Sequence, residues 1–350
     1  MSVLGSVASW MDDGGPNGSM VVLPNGEVVA RTYRPDEGFV PIRRLTIVGR
    51  EIRTLGLPEV EVPMWGSRVA QTFGRGTWAA LQSLCVGVVG CSGTGSLVVE
   101  QLARTCVGAL VLVDPKRLHR RNLNRILGAT ESDAEAECFK VEVMTRGINA
   151  IGSGTKVTPL AVSIQDRSAA LALAGCDVLF GCVDSVEGRY ILDVLANAYV
   201  APYFDVGVHV DPDGDGGIRS AVAAAHYIVP GGSSLLSRGV YTAEQLAAEG
   251  YRRVDPNIEQ EEDVPRYLAS VGESQPAVMP LNMLAAALGV TDLLARLHGF
   301  RMEGPEIQRL SLVHGSYFTE SSSDPCPTMQ RWIGRGSRAV DDLRAEMCAT

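Results

Sequence analysis

The 350-residue chain has no CxxC pair, no stretch of eighteen apolar residues free of charges and turn formers, and no repeat at solenoid spacing. The first absence removes the paired-thiol zinc knuckle. The second excludes a simple membrane-crossing helix, and the third an array architecture. The opening segment, MSVLGSVASWMDDGG, lacks a basic flank and meets acid early, so it does not read as a signal peptide. Basic charge is in deficit: 31 Lys and Arg stand against 40 Asp and Glu, a net charge of −9 and a pI near 5.2. Such a chain has no global attraction for phosphate backbones, which disfavours nucleic acid while leaving room for a local basic patch. Eight cysteines are too few for a disulfide scaffold, and several lie in apolar stretches. They are expected to be reduced, buried thiols of a cytoplasmic protein.

What is present suits a folded enzyme. Hydrophobic residues make up 46% and charged residues 20%, enough apolar material to offset the entropy of ordering. The 38 glycines and 18 prolines imply many tight turns. At about 150 residues per domain, the length suggests two domains or one large domain with an appendage. Residues 1–60 form a small β-rich module. Met20–Leu23 and Glu27–Ala30 flank Pro24-Asn25-Gly26, a hairpin signal, and Arg43–Val48 and Glu51–Leu55 read as two short strands around Gly49. The module is too small to bury much core alone and is expected to pack on the rest.

From residue 61 to 350 the pattern alternates. Strands are predicted at Cys85–Val89, Ala109–Val113, Lys156–Ala161, Val178–Cys182, Tyr203–Val208 and Ser220–Val229. Helices are predicted at Ser96–Thr105, Ala134–Ala150, Ser168–Ala174, Gly188–Ala198, Thr242–Gly250 and Met279–His298. Continuous apolar runs are typical of parallel strands buried on both faces, and the alternation argues an α/β doubly wound sheet.

The strongest local signal is Val88-Val89-Gly90-Cys91-Ser92-Gly93-Thr94-Gly95-Ser96, leaving a buried strand and entering a helix. Glycines let backbone approach a phosphate, and the helix N-terminus offers free N–H groups and partial positive charge. Asp114 lies nineteen residues after Gly95, at the end of the next strand, where an acid can accept from ribose hydroxyls. Ser92 stands where the usual dinucleotide pattern has its second glycine, which weakens a plain NAD reading. Beyond it come Asn122, Arg125, Lys140, Asp184 and Arg189. A dehydrogenase has no use for Arg, Lys and Asp near the phosphates. Nucleotidyl transfer needs cations on the developing charge and a carboxylate for Mg²⁺.

These pieces, in this order, resemble the ThiF/MoeB family, the adenylating domain of the ubiquitin-activating-enzyme superfamily. Met64-Trp65-Gly-Ser-Arg68 with Phe73-Gly74, the Gly90–Gly95 turn, Asp114, Asn122-Leu-Asn-Arg125, Lys140, and Cys182-Val-Asp184 with Arg189 carry the resemblance, over about 61–335. It implies a Rossmann-like doubly wound sheet of the adenylation type. It also implies roles: Gly90, Ser92, Gly93 and Gly95 in the turn lining the ATP phosphates, Asp114 on the ribose, and Asn122 and Arg125 on the phosphates. Lys140 would neutralise them, Asp184 would hold Mg²⁺, and Arg68 would reach across a homodimer interface to the partner's nucleotide. Alternatives remain for Arg68, as a surface ion pair, and for Lys140, as a solvated helix residue.

The departures are informative. Many family members hold a structural zinc on two CxxC pairs. Here Pro230-Gly231 is followed by Ser234-Leu-Leu-Ser237, and the second segment is Cys326-Pro-Thr-Met329. Serine and methionine are poor zinc ligands, so no structural zinc is expected. Some members use a crossover-loop cysteine for a covalent step. No cysteine lies between Cys182 and Cys326, so the presumed crossover loop, about 230–275, offers none. Cys91 and Cys182 read as packing residues. Asp211-Pro-Asp-Gly-Asp-Gly begins like a calcium loop but has Val222 where a bidentate Glu is required, and reads as a hairpin loop. The five histidines show no metal spacing, although His209, at the end of its predicted strand, could face a substrate. The acidic run Glu259–Asp263 is a solvated loop or a dock for a basic peptide tail.

The resulting expectation is ATP-dependent adenylation of a carboxylate, the C-terminus of a ubiquitin-like protein or a peptide, by a homodimer away from any membrane. Its rivals are an inactive partner subunit, an enzyme adenylating a modified-tRNA carboxylate, and a nicotinamide-dependent oxidoreductase.

Overall fold

Two antiparallel strands flank Pro24 and Asn25: β1 (Asn17–Val22) pairs with β2 (Val28–Arg34), from Asn17↔Tyr33 to Val22↔Val28. A third strand, β3 (Gly38–Pro41), not foreseen from the sequence, adds to β2 and brings the Tyr33 and Phe39 rings to 5.2 Å. β4 (Leu45–Val48) and β5 (Ile52–Leu55) form a two-stranded sheet around Gly49. The computed structural model describes residues 17–25, 28–34, 37–42, 44–213, 215, 217–254, 278–301, 304–322 and 324–349. The chain separates into two units, Met1–Ile47 with Arg53–Pro58, and Val48–Ile52 with Glu59–Thr350. Gly26 and Glu27 of the expected hairpin and the acidic run Glu259–Asp263 lie outside the described residues.

The second unit runs through α1 (Ser67–Ser83), β6 (Cys85–Val89), α2 (Gly93–Arg104) and β7 (Ala109–Val113). It continues with α3 (Glu131–Glu135), α4 (Lys140–Ile151), β8 (Lys156–Leu160), α5 (Arg167–Leu173), β9 (Val178–Gly181) and α6 (Val186–Ala198). A hairpin of β10 (Tyr203–Pro212) and β11 (Ile218–Ile228) follows, then α7 (Ala243–Val254) and α8 (Met279–His298). β12 (Ile307–Ser311), β13 (Ser316–Glu320), α9 (Pro327–Gln330) and α10 (Ser337–Ala349) complete it.

One eight-stranded sheet holds these elements, in the order β13-β12-β11-β10-β9-β6-β7-β8. From β10 to β8 neighbours are parallel, and from β10 to β13 they are antiparallel. The two-residue period of a strand sends alternate side chains into two cores. Val88, Leu110, Leu112, Phe180, Phe204 and Tyr227 meet Val98, Leu102, Val141, Ala286 and Leu293 of α2, α4 and α8. Val89, Val111, Leu179, Tyr203 and Ile228 meet Leu173, Ile191, Leu195, Trp332 and Val340 on the other face. Burial on both faces explains the continuous apolar runs. The twenty-residue α8 is long and apolar enough by composition to cross a membrane, but half of it is buried, against α2, β10 and β11.

Two expectations need correction. The single helix expected over Ala134–Ala150 is two. Arg117 bridges Phe139, Leu118 N–H donates to Cys138 O at 2.8 Å and Lys140 N–H to Lys116 O at 3.2 Å, so residues 138–140 are committed to strand-like pairing. Glu137, at φ +48°, turns the chain out of α3, and α4 begins at Lys140. Strand β10 also runs past Val208 to Pro212, because its hairpin with β11 keeps pairing to Asp211↔Ser220. His209 is therefore inside a strand, exposed and opposite Val222, rather than at its end. The Asp-rich segment is the hairpin turn: Asp213 Oδ1 accepts from the N–H groups of Asp215 and Gly217 at 2.9 and 2.7 Å.

Candidate active site

The strand order reverses between β6 and β9, and the chain leaves these neighbouring strands for opposite faces. Ligands of open α/β sheets bind outside the carboxyl ends at such a point. The turn after β6 is shaped by steric exclusion. Gly90 has φ +90°, and a Cβ there would sit 2.5 Å from Cys182 O in the turn after β9. A Cβ on Gly95 would fall 1.7 Å from Gly90 O, so neither position tolerates a side chain. Ser92 is the N-cap of α2, but its hydroxyl makes no capping bond; its carbonyl accepts from Ser96 N–H at 2.8 Å. The first N–H groups of α2 are thus left facing the carboxyl edge.

Asp114, 5% exposed, ends β7 beside this turn. Its Oδ2 accepts from Cys91 N–H at 2.7 Å and its Oδ1 from Lys116 N–H at 2.8 Å, so it ties the glycine turn to the next loop. Lys140 is the first residue of α4 and is buried, not solvated. Burial lowers its pKa, the neighbouring Asp114 opposes that shift, and nearby Lys116 and Arg125 reinforce it. The Arg125 stem passes over Gly93, its Cδ 3.2 Å from where a Cβ would stand. Its guanidinium donates to Arg121 O and Asn124 Oδ1. Asn122 is buried in a 3-10 turn, Arg120–Asn122, where its Oδ1 accepts from His119 N–H at 3.1 Å.

Asp184 follows β9 and is exposed at the same edge. Below it, Arg189 of α6 donates to Asp205 Oδ1 at 3.3 Å, and Tyr203 Oη donates to the same oxygen at 2.9 Å. Asp184 and Asp205 both favour the charged form of Arg189. His226 stands opposite Asp205 in the β10–β11 register; burial pulls its pKa down to about 4, so it is neutral at pH 7. The N-terminus of α6 is covered by Glu249 of α7, whose carboxylate accepts from Val186 N–H at 3.0 Å and Glu187 N–H at 2.7 Å. This fastens the beginning of the crossover region to the edge that carries Asp184.

The structure therefore gathers Gly90, Ser92, Gly93, Gly95, Asp114, Arg125, Lys140 and Asp184 at one sheet edge, with Asn122 in the loop leading to Arg125. Arg68 is placed differently. It is exposed in the first turn of α1, where its Nη1 donates to Gln71 Oε1 at 3.3 Å. Sequence reading missed Tyr203, Asp205 and Asn282 as parts of the edge. An acid inside a buried strand was a usable signal for Asp205. For Asn282 there was none, because its contact, Thr94, is 188 positions away.

The thiols here are quiet. Burial, reinforced by Asp114 and Cys182, pushes Cys91 well above the usual range, and burial also raises Cys182. The two segments aligned with zinc-binding pairs do meet, since Cys326 N–H donates to Gly232 O at 3.0 Å. Ser234 and Ser237 each donate a backbone N–H to the other's hydroxyl, at 3.0 and 3.2 Å, and Leu235, Cys326, Met329 and Trp332 pack beside them. Among the described residues no cluster of three or more His, Cys, Asp or Glu has metal-binding geometry.

A mostly parallel sheet with a glycine turn, a strand-end acid and a buried lysine at its switch point defines a Rossmann-like α/β protein. The chain belongs to the ThiF family, whose model matches residues 67–325. Ubiquitin-like modifier-activating enzyme 5 of Culex quinquefasciatus is 27% identical over 135 residues, which cover 35% of this chain and 33% of that protein. The same enzyme of Oryza sativa subsp. japonica is 26% identical over 142 residues, 37% and 34% of the two chains. The chain thus spans about a third of the length of the curated relatives it matches. Among solved structures, E. coli MccB with MccA-N7isoASN superposes with a TM-score of 0.60 at 18% identity, over 78% of this chain and 76% of that one. E. coli MccB with ATP gives 0.54 at 20% identity, over 76% and 73%. At these identities the likeness is one of fold.

Proposed function

We propose that the protein is an ATP-dependent adenylyltransferase acting on a carboxylate, the C-terminus of a ubiquitin-like protein or of a peptide. The observation that carries this reading is the meeting of the Gly90–Gly95 turn, the buried Lys140 and the Asp184 edge at the switch point of the sheet. Membership of the ThiF family supports it, as do curated relatives that are ubiquitin-like modifier-activating enzymes.

The residues present fit a nucleotide polyphosphate. Lys140 feels the charges of Lys116, Arg125 and Asp114, so three cations stand against one carboxylate beside free helix N–H groups. Gly90 and Gly95 let the turn close without side chains, Arg125 would swing from Arg121 O and Asn124 Oδ1 to the phosphates, and Asn122 orients the loop that carries it. Each Asp114 oxygen already accepts one N–H and retains a second lone pair for a ribose hydroxyl. Asp184 suits Mg²⁺, which takes one or two carboxylates and fills its shell with phosphate and water; when bound, the ion neutralises charge on the phosphates. The substrate carboxylate is an anion at pH 7 and needs no general base. Its oxygen attacks the α-phosphorus, pyrophosphate leaves, and an acyl-adenylate results. The chain's task is positioning and charge neutralisation. With no cysteine between Cys182 and Cys326, the acyl group passes to a nucleophile from outside the crossover region, or the adenylate is the product. Arg68, exposed at the start of α1, completes the site of a second copy in a homodimer.

Thermal unfolding with ATP-Mg²⁺, ATP alone, AMP and NAD⁺ tests the nucleotide assignment. ATP-Mg²⁺ at 100 times its dissociation constant adds about 2.7 kcal/mol to stability. The shift is expected to shrink in Asp184→Ala and to be absent with NAD⁺; a shift with NAD⁺ alone would overturn the reading. Pyrophosphate release with a Gly-Gly-ended small protein, against a short peptide, separates the two substrate classes. Arg68→Ala mixed with Asp184→Ala should recover part of the activity lost in each. No recovery, with subunit exchange confirmed, would sink the shared site.

A further inference from the structure

Asn282 lies in the first turn of α8, immediately after residues 255–277, and is 4% exposed. Its Oδ1 accepts from Thr94 Oγ1 at 3.3 Å, while its Nδ2, also buried, makes no hydrogen bond. A buried donor without an acceptor is costly, so its retention calls for a partner. The direction of Nδ2 is informative. A Cβ on Gly93 would stand 2.3 Å from Nδ2 and 3.2 Å from Arg125 Cδ, so the amide and the Arg125 stem converge on the bare face of the first residue of α2.

We propose that Asn282 is a phosphate-binding residue, the donor that completes the anion site at the N-terminus of α2. The Arg125 stem lies over this spot while its guanidinium is held by Arg121 O and Asn124 Oδ1. When Arg125 turns to the phosphate, the stem leaves and a phosphate oxygen takes its place against Nδ2. Thr94 holds the amide in register by donating to Oδ1, which fixes the NH₂ group as the outward-facing end. This explains why Gly93 must be a glycine, although its φ is not positive: a side chain would occupy the place of the amide. It also makes α8 a participant in nucleotide binding, so that the helix following the crossover region senses whether the site is filled. The assignment rests on the adenylation reading given above.

The test compares the affinities of ATP-Mg²⁺ and adenosine in wild type, Asn282→Ala and Asn282→Asp, with the melting temperature of each free protein. Asn282→Ala is expected to weaken ATP about tenfold, the worth of one charge-assisted hydrogen bond. Adenosine affinity should not change, and the free protein should melt no lower, since an orphan donor has been removed. Asn282→Asp replaces the donor with a negative acceptor and should weaken ATP further. If Asn282→Ala fails to fold, Asn282→Leu, close to Asn in volume but without a donor, takes its place with the same expected loss for ATP and none for adenosine. Unchanged ATP affinity, or equal losses for ATP and adenosine, would overturn the assignment and leave Asn282 a packing residue. If wild type itself shows no ATP binding, the adenylation reading fails first and takes this proposal with it.

Discussion

Among the described residues two carboxylates are fully buried, one on each face of the large sheet, and they are kept there by different means. Asp292 of α8 accepts from Arg296 Nε at 3.0 Å and from Arg301 Nη1. Arg296 also lies over the Tyr227 ring at 3.6 Å and donates to Arg50 O and Pro305 O. Asp193 of α6 has no such cation in contact. It accepts from Tyr241 Oη at 2.9 Å and Leu235 N–H at 3.1 Å, and burial pushes its pKa up to about 7. The first carboxylate is paired with two guanidinium groups. The second ties the chain after β11 to α6 with neutral donors, and so changes charge near neutrality. Burial alone does not decide whether an acid is charged; the donors it is given do.

Breaking the first centre should cost most. Asp292→Ala strands Arg296, 3% exposed, and should lose about 3–5 kcal/mol in urea denaturation. A loss under 1 kcal/mol would mean that the arginines find other partners. The second centre is sharpened by pH. A carboxyl whose folded pKa lies above its unfolded value near 4 contributes stability that is full below pH 4 and is lost as pH rises through 7. Wild type should therefore lose about 2–3 kcal/mol between pH 5 and 7 relative to Asp193→Asn, at 1.36 kcal/mol per pH unit. Parallel profiles would show that Asp193 stays ionised. Lys140 offers a third buried charge, one kept for a ligand rather than for the fold. Lys140→Met should raise the stability of the free protein by about 1 kcal/mol and abolish the shift with ATP. A destabilised variant that still responds to ATP would assign the lysine to structure. Smallest is Tyr241→Phe, expected to lose about 1 kcal/mol as one donor to Asp193 disappears.

How much of this was legible depended on whether the signal was local. β6, β7 and β9 could be read because burial on both faces makes an unbroken apolar run, and the turn at Gly90 because backbone collisions leave only glycine. β12 and β13 escaped. Residues such as Arg309 and Tyr317 face outward there, so the strands show no apolar run. The break between α3 and α4 was also invisible. It is made by pairing with residues 116–118, some twenty positions earlier, against a sequence of good helix formers. That break starts α4 at Lys140, so the site depends on a feature that helix propensity argues against. Asn282 was hidden in the same way, a polar residue in an apolar helix whose purpose depends on Thr94 and Gly93.

The two sulfurs beside the glycine turn set the chemical durability of the edge. Cys91 and Cys182 are held as thiols by burial, and it is the thiolate that reacts with alkylators and peroxide. While the chain is folded, a maleimide is expected to find almost no thiolate at that edge, and labelling of Cys91 should keep time with the opening of the core.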